Sequence, residues 1–144
     1  MGRENRPVKR IVRYQGAVVR DGYLLLVRQR FGSEYECWNV PGGGREGDET
    51  EEQCVIREIK EETNLDVRIE RLLIDGPSHP HSPYRRFKTY LCTPIEGYAS
   101  PDDVESVAVR WFDLSDPSQL SLEVLNSDTA FTTVQRIRQV LGYT

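Results

Sequence analysis

Four of the chain's 11 glycines fall at positions 42, 43, 44 and 47, just ahead of a stretch from Thr50 to Thr63 with the composition of a helix. Backbone this rich in glycine either adopts dihedrals closed to other residues or passes very close to something. Pro41 in front of it marks a loop. The helix carries its own start signal: Thr50 with Gln53 three residues later is a capping-box pattern, and acids fill the first turn, where the helix dipole favours them. Asn64 is suited to end it in the left-handed conformation. The free amides of such a loop, placed at the start of a helix, can reach phosphate oxygens.

On a helical wheel of about 100° per residue, Glu58, Glu61 and Glu62 share one face, beside an apolar stripe of Val55, Ile56 and Ile59. Like charges at this spacing repel, and more so when desolvated. Charge clustering alone reads most economically as a solvated acidic face. The surroundings favour another reading: Arg57 lies in i,i+4 reach of Glu61, the glycine loop precedes the carboxylates, and hard oxygen ligands suit Mg²⁺ or Mn²⁺. A phosphate bound beside a metal needs this combination; a surface helix does not.

Composition sharpens the point. The chain has 23 acidic and 19 basic residues, a net charge of −4, which argues against a nucleic-acid-coating protein or a polybasic membrane protein. Between Arg45 and Glu62, eight acids face three bases, so the deficit sits in this segment and the remainder is nearly neutral. A length of 144 residues with 38% apolar side chains predicts one domain over 1–144. The first ten residues, MGRENRPVKR, contain no apolar stretch of signal-peptide length, and the run Leu24 to Val27 falls far short of the roughly 18 residues a membrane span needs. Cys37, Cys54 and Cys92 are too few and scattered for a disulfide framework or a C-x-x-C metal site. They read as free thiols of a cytoplasmic protein.

Around the central segment the pattern alternates strands and helices. Ile11 to Arg20 and Tyr23 to Arg30 are strand-like and separated by Asp21-Gly22, a strong hairpin signal. A short apolar piece, Cys37 to Val40, leads into the glycines. Further strands are predicted at Val67 to Ile74, Arg86 to Thr93 and Val107 to Phe112, and an amphipathic helix at Asp128 to Leu141 with Phe131, Val134, Ile137 and Leu141 on one face. The expected fold class is α/β (α+β), a mixed sheet covered by helices on both faces.

From Gly43 to Leu65 the chain resembles the Nudix (MutT-like) hydrolase family, whose box reads G-x(5)-E-x(7)-R-E-U-x-E-E-x-G-U with U bulky and apolar. Gly43, Glu49, Arg57, Glu58, Ile59, Glu61, Glu62 and Leu65 match at the required spacing. Asn64 replaces a glycine, a mild change because Asn also tolerates the left-handed conformation. Gly47 stands one place earlier than the glycine usually found before the first glutamate. The resemblance extends to the GAVV strand, the hairpin, WNVPGGG before the box, and WFDL near the end.

The resemblance implies an α/β/α sandwich with a catalytic divalent cation, Mg²⁺ or Mn²⁺. It also implies hydrolysis of a nucleoside diphosphate linked to another moiety, by water attack at phosphorus. By the same resemblance, Glu58, Glu61 and Glu62 are metal ligands or water-activating carboxylates, Gly43 offers a backbone carbonyl to the metal, and Arg57 with Glu49 forms the supporting ion-pair network. Some members take their general base from a loop before the late WF strand, which makes Glu105 a candidate here; a solvated loop acid is an equal reading. Two alternatives remain open: pyrophosphohydrolysis of nucleoside triphosphates in pool sanitation, and a non-catalytic nucleotide-binding regulator.

Weaker signals surround this centre. Arg86 and Lys88 share a strand face and could hold outer phosphates, although a charge-protected edge strand is the simpler account. Arg28 and Arg30 pose the same question. Tyr84 and Tyr98 offer rings for base stacking or for packing on the sheet, the second being simpler. His79 and His81 bracket Pro80 and read as exposed loop residues. In the family, a proline about fifteen residues after the box goes with ADP-ribose and a tyrosine slightly farther with dinucleoside polyphosphates. Pro80, Pro83 and Tyr84 point both ways, so no base, sugar or leaving group is assigned. The expected partner is a small nucleotide-type diphosphate, with no nucleic-acid polymer and no membrane; oligomeric state, a homodimer included, stays open.

Overall fold

A computed structural model describes residues 11–103 and 106–144. The expectation of no leader in residues 1–10 and the assignment of Glu105 therefore fall outside the described residues.

The chain opens with β1 (Val12–Arg20) and β2 (Tyr23–Phe31). They pair antiparallel through the turn read from the sequence: Asp21 (φ 54°) and Gly22 (φ 80°) are both left-handed, as a tight two-residue hairpin requires. β3 (Tyr35–Asn39) returns along β2. It starts two residues before the expected Cys37, because Tyr35 and Glu36 pair with Phe31 and Arg30 across the second hairpin. β4 is only Gly42–Gly43, paired with Gln15 and Tyr14 of β1. The approach is close: a side-chain carbon on Gly42 would lie 2.6 Å from Gln15 Cβ and from the Tyr14 carbonyl oxygen, so only glycine fits.

α1 (Glu51–Thr63) has the capping box expected of Thr50 and Gln53, and Asn64 ends it at φ 67°. β5 (Asp66–Pro77), β6 (Arg86–Glu96) and β7 (Ser106–Asp113) follow. A 3₁₀ turn (Pro117–Leu120), a short α2 (Leu122–Leu125) and α3 (Asp128–Val140) close the described chain. The sheet runs β3-β2-β1-β6-β5, with β7 also on β2; β1 and β6 are parallel and the other pairs antiparallel. This is the mixed sheet that the alternating pattern predicts.

Strand alternation divides the core in two. On one face Val18, Leu25, Tyr90 and Cys92 pack against Cys54, Val55 and Ile59 of α1. On the other, Ala17, Leu24, Leu26 and Phe112 meet Leu120, Leu125, Val134 and Ile137 from the C-terminal helices. Two expectations change. Ile56 turns outward at 37% exposure, so the apolar stripe of α1 is narrower than the wheel suggests, and Tyr98 is 90% exposed and does not pack on the sheet. The three cysteines are buried and unpaired. Among the described residues no helix is long and apolar enough to cross a membrane.

Gly16 shows how closely α1 is seated. A carbon added there would collide with Ile59 Cδ1 and stand 3.2 Å from Cys92 Sγ and Val55 Cγ1. Gly16→Ala is expected to cost about 1–3 kcal/mol by overpacking, read as a lower urea midpoint with an unchanged m-value.

Candidate functional site

The loop and helix read from the sequence converge at a cleft of about 840 Å³. Its floor is the acidic face of α1 together with Gly42 and Gly43, and Glu58, Glu61 and Glu62 all line it. The three carboxylates lie at different depths: the side chain of Glu61 is 56% exposed, that of Glu58 14%, and Glu62 as a residue only 5%. Among the described residues, Glu62 Oε1 is buried and has no hydrogen-bond partner. Burial above all, and then the neighbouring Glu58, push the Glu62 carboxyl far above the usual carboxylate range, with Arg13 and the Gly42 amide opposing.

Arg57 organises the face. Its Nε and Nη2 donate to the two oxygens of Glu49 at 3.0 and 2.8 Å, a bidentate pair. Nη2 also donates to the Gly44 carbonyl at 3.1 Å, and Nη1 reaches Glu61 Oε1 at 3.2 Å and Glu58 Oε2 at 3.4 Å. Glu49 in turn accepts the backbone N–H of Glu46 at 2.9 Å. The Arg57 guanidinium holds the Glu49 carboxyl down to about 2, and the same contacts raise the pKa of Arg57.

Gly43 sits against Glu58 so closely that an added side-chain carbon would collide with the carboxylate. Gly43→Ala is therefore expected to displace Glu58 and lower turnover about 10–100-fold. The same variant should keep its far-UV circular dichroism spectrum.

The donor set fits a divalent cation. A buried carboxylate oxygen with no partner among the described residues and a second carboxylate, Glu58, beside it are oxygen donors of the kind hard divalent ions take, and Gly43 lets Glu58 lie close against the loop. The same groups would be costly in a merely structural helix.

The outlying residues separate. Tyr84 lines the cleft. Arg86 does not; it pairs with Asp75 at 2.6 Å. Lys88 also lies outside the lining and is held by Glu51 at 3.1 Å, beside Tyr90, which donates to the same carboxylate at 2.6 Å. Arg28 is likewise outside, bound to Glu36 at 2.7 Å and set over Trp38. Sequence reasoning missed Arg13 of β1, whose guanidinium donates to the Val40 carbonyl at 2.9 Å. It also missed Phe31 and Tyr35 at the second hairpin, which face each other with ring centroids 5.9 Å apart at the cleft. Two exposed aromatics flanking a short turn were the available signal.

The profile of the NUDIX domain matches residues 11–132. A Bacillus subtilis protein whose name assigns it, provisionally, to ADP-ribose pyrophosphatases is 38% identical over 88 residues, covering 58% of this chain and 41% of that protein. The ADP-ribose pyrophosphatase of Methanocaldococcus jannaschii is 39% identical over 62 residues, covering 43% and 37%. The matches thus span about two fifths of those relatives. Among solved structures, a NUDIX hydrolase from Nitrosomonas europaea superposes with a TM-score of 0.75 at 21% identity, covering 94% of this chain and 74% of that one. Members of this family generally use divalent metals. From the box spacing, the mixed sheet between helices and the profile match over most of its length, the chain belongs to the NUDIX-domain family.

Proposed function

We propose that the protein hydrolyses a phosphoanhydride bond in a nucleoside diphosphate linked to another moiety. The observation that carries this reading is the buried Glu62 oxygen, without a partner among the described residues, beside Glu58, which in turn packs on Gly43, at the floor of a cleft large enough for such a substrate. In this reading Glu58, Glu61, Glu62 and the Gly43 carbonyl would hold Mg²⁺ or Mn²⁺. The cation would supply charge neutralisation on the departing phosphate. The chain's own groups do the rest. Glu49 fixes Arg57, and Arg57 fixes Glu58 and Glu61, so the carboxylates meet the substrate in one geometry. Arg13 and Arg30 put positive charge on the cleft wall for the outer phosphate oxygens, and Tyr84, Phe31 and Tyr35 offer surface to the non-phosphate part. Water adds to phosphorus, its proton passes to a carboxylate (Glu58, Glu61 or Glu105), and the bridging P–O bond breaks to give two phosphate-bearing products.

The names of the Bacillus and Methanocaldococcus relatives make ADP-ribose the first substrate to try. The test is a panel of ADP-ribose, dinucleoside polyphosphates and nucleoside triphosphates with Mg²⁺, Mn²⁺ or EDTA in ¹⁸O-labelled water. Metal-dependent release of two monophosphates from a diphosphate-linked compound, with ¹⁸O in one of them, is expected. Pyrophosphate release from triphosphates alone would replace this reading with pool sanitation. Tight nucleotide binding without cleavage would replace it with a regulator.

A further inference from the structure

One cluster away from the carboxylate floor brings together a different donor chemistry. The loop 78–85 between β5 and β6 places His79 and His81 on either side of Pro80, with ring centroids 4.9 Å apart. Asp128, the first residue of α3, lies alongside: His81 Nδ1 is 3.8 Å from Asp128 Oδ2, and one ligand atom from each of the three residues lies within 4.8 Å of the others. The fold does not need this arrangement for capping. Ser127 already caps α3, its Oγ accepting the Ala130 N–H at 3.2 Å, and among the described residues the Asp128 carboxylate accepts no hydrogen bond. His79 Nδ1 accepts the His81 N–H at 3.1 Å, which sets the first ring relative to the second.

We propose that His79, His81 and Asp128 form a site for a borderline divalent cation of the zinc type, which ties the 78–85 loop to the start of α3. Two imidazoles and one carboxylate are a donor set for Zn²⁺ or Co²⁺ and a poor one for Mg²⁺, which prefers oxygen throughout. Bonds of about 2.0–2.2 Å in a tetrahedron put ligand atoms roughly 3.4 Å apart. The observed spread closes to that by a small shift of the exposed His81 and Asp128 side chains toward the half-buried His79, with the His79–His81 hydrogen bond exchanged for a metal bond. Three protein ligands leave a fourth position for water or an anionic oxygen. His81 and Asp128 line the same cleft as Glu58 and Glu62, so that position is reached from the substrate's side. The cleft then holds two cation sites that sort metals by donor hardness. The second site is independent of which reaction occurs on the first.

The test uses tag-free protein in excess Mg²⁺, titrated with ZnCl₂ by calorimetry and with CoCl₂ by visible absorption. One Zn²⁺ per chain at micromolar affinity, a higher Tm, and cobalt d–d bands of a site with nitrogen ligands are expected. His79→Ala with His81→Ala should abolish all three; Asp128→Asn and His81→Gln, each milder, should weaken zinc binding about tenfold or more. Glu58→Gln should leave zinc uptake in place. No uptake by the wild-type chain, or equal uptake by the histidine variants, overturns the proposal. So does uptake lost in Glu58→Gln but kept without the histidines.

Discussion

Glu62→Gln is expected to lower phosphoanhydride hydrolysis by more than about 10²-fold, while making protein stripped of divalent ions with EDTA more stable than wild type. The two effects have one origin. Glu62 is 5% exposed, one of its oxygens has no hydrogen-bond partner among the described residues, and Glu58 lies beside it. A carboxylate so placed is expensive to ionise unless a cation lies beside it. A neutral amide removes that cost, a gain of about 1–3 kcal/mol, or a Tm several degrees higher.

The pH dependence has a definite sign. The folded-state pKa of Glu62 lies above its ordinary value of 4.5, so between the two the folded protein binds more protons than the unfolded one. Stability of EDTA-treated wild type therefore falls as pH rises above about 4.5 and through neutrality. Glu62→Gln loses this slope, and its advantage grows with pH. Urea midpoints at pH 5, 6, 7 and 8, with and without Mn²⁺, measure it. A variant less stable than wild type across this range in EDTA, or one that retains full turnover, would sink the assignment.

Arg57→Ala is the second large effect. Arg57 is 22% exposed at its side chain and contacts Glu49, Glu58, Glu61 and the Gly44 carbonyl at once, so its loss leaves several acceptors unpaired. A fully buried pair broken on one side costs about 3–5 kcal/mol; partial exposure brings the expectation here to about 2–3 kcal/mol. Turnover should fall about 10–100-fold because Glu58 and Glu61 are no longer held. Here the linkage runs the other way. Arg57 depresses the Glu49 pKa to about 2 in the folded state, so the stabilisation is present above the ordinary 4.5 and is lost as pH falls from there toward 2. The difference in urea midpoint between wild type and Arg57→Ala should shrink steadily over that interval. Arg57→Lys, which keeps the charge but not the bidentate fork, should restore part of the stability and little of the turnover.

The local parts of this site were legible in the sequence because they are encoded locally. A capping box, a left-handed Asn64, an Asp-Gly hairpin and carboxylates at i,i+3 and i,i+4 are written within a few residues of one another, and the structure has each where the spacing puts it. The walls of the cleft are encoded differently. Arg86 and Lys88 share a strand face, as alternation requires, but alternation is silent about partners. Asp75 and Glu51, 11 and 37 residues away in sequence, engage them. Arg28 meets Glu36 across a hairpin whose register depends on where β3 begins. Arg13 reaches the cleft through strand pairing across the sheet, a relation no local pattern carries; Phe31 and Tyr35 face each other across one hairpin, but that pairing does not say which cleft they border.

The cleft is assembled from two kinds of material. Its floor is one helix, locked at both ends and seated on the sheet by Val55 and Ile59, with its charged groups cross-tied by a single arginine. Its walls are a hairpin tip, a proline-bearing loop and the first turn of another helix. Insertions or replacements in those walls would leave the register of the floor untouched. What borders the cleft can therefore change in a few surface segments without dismantling the cross-tied helix beneath, a separability that gives the scaffold room to diversify.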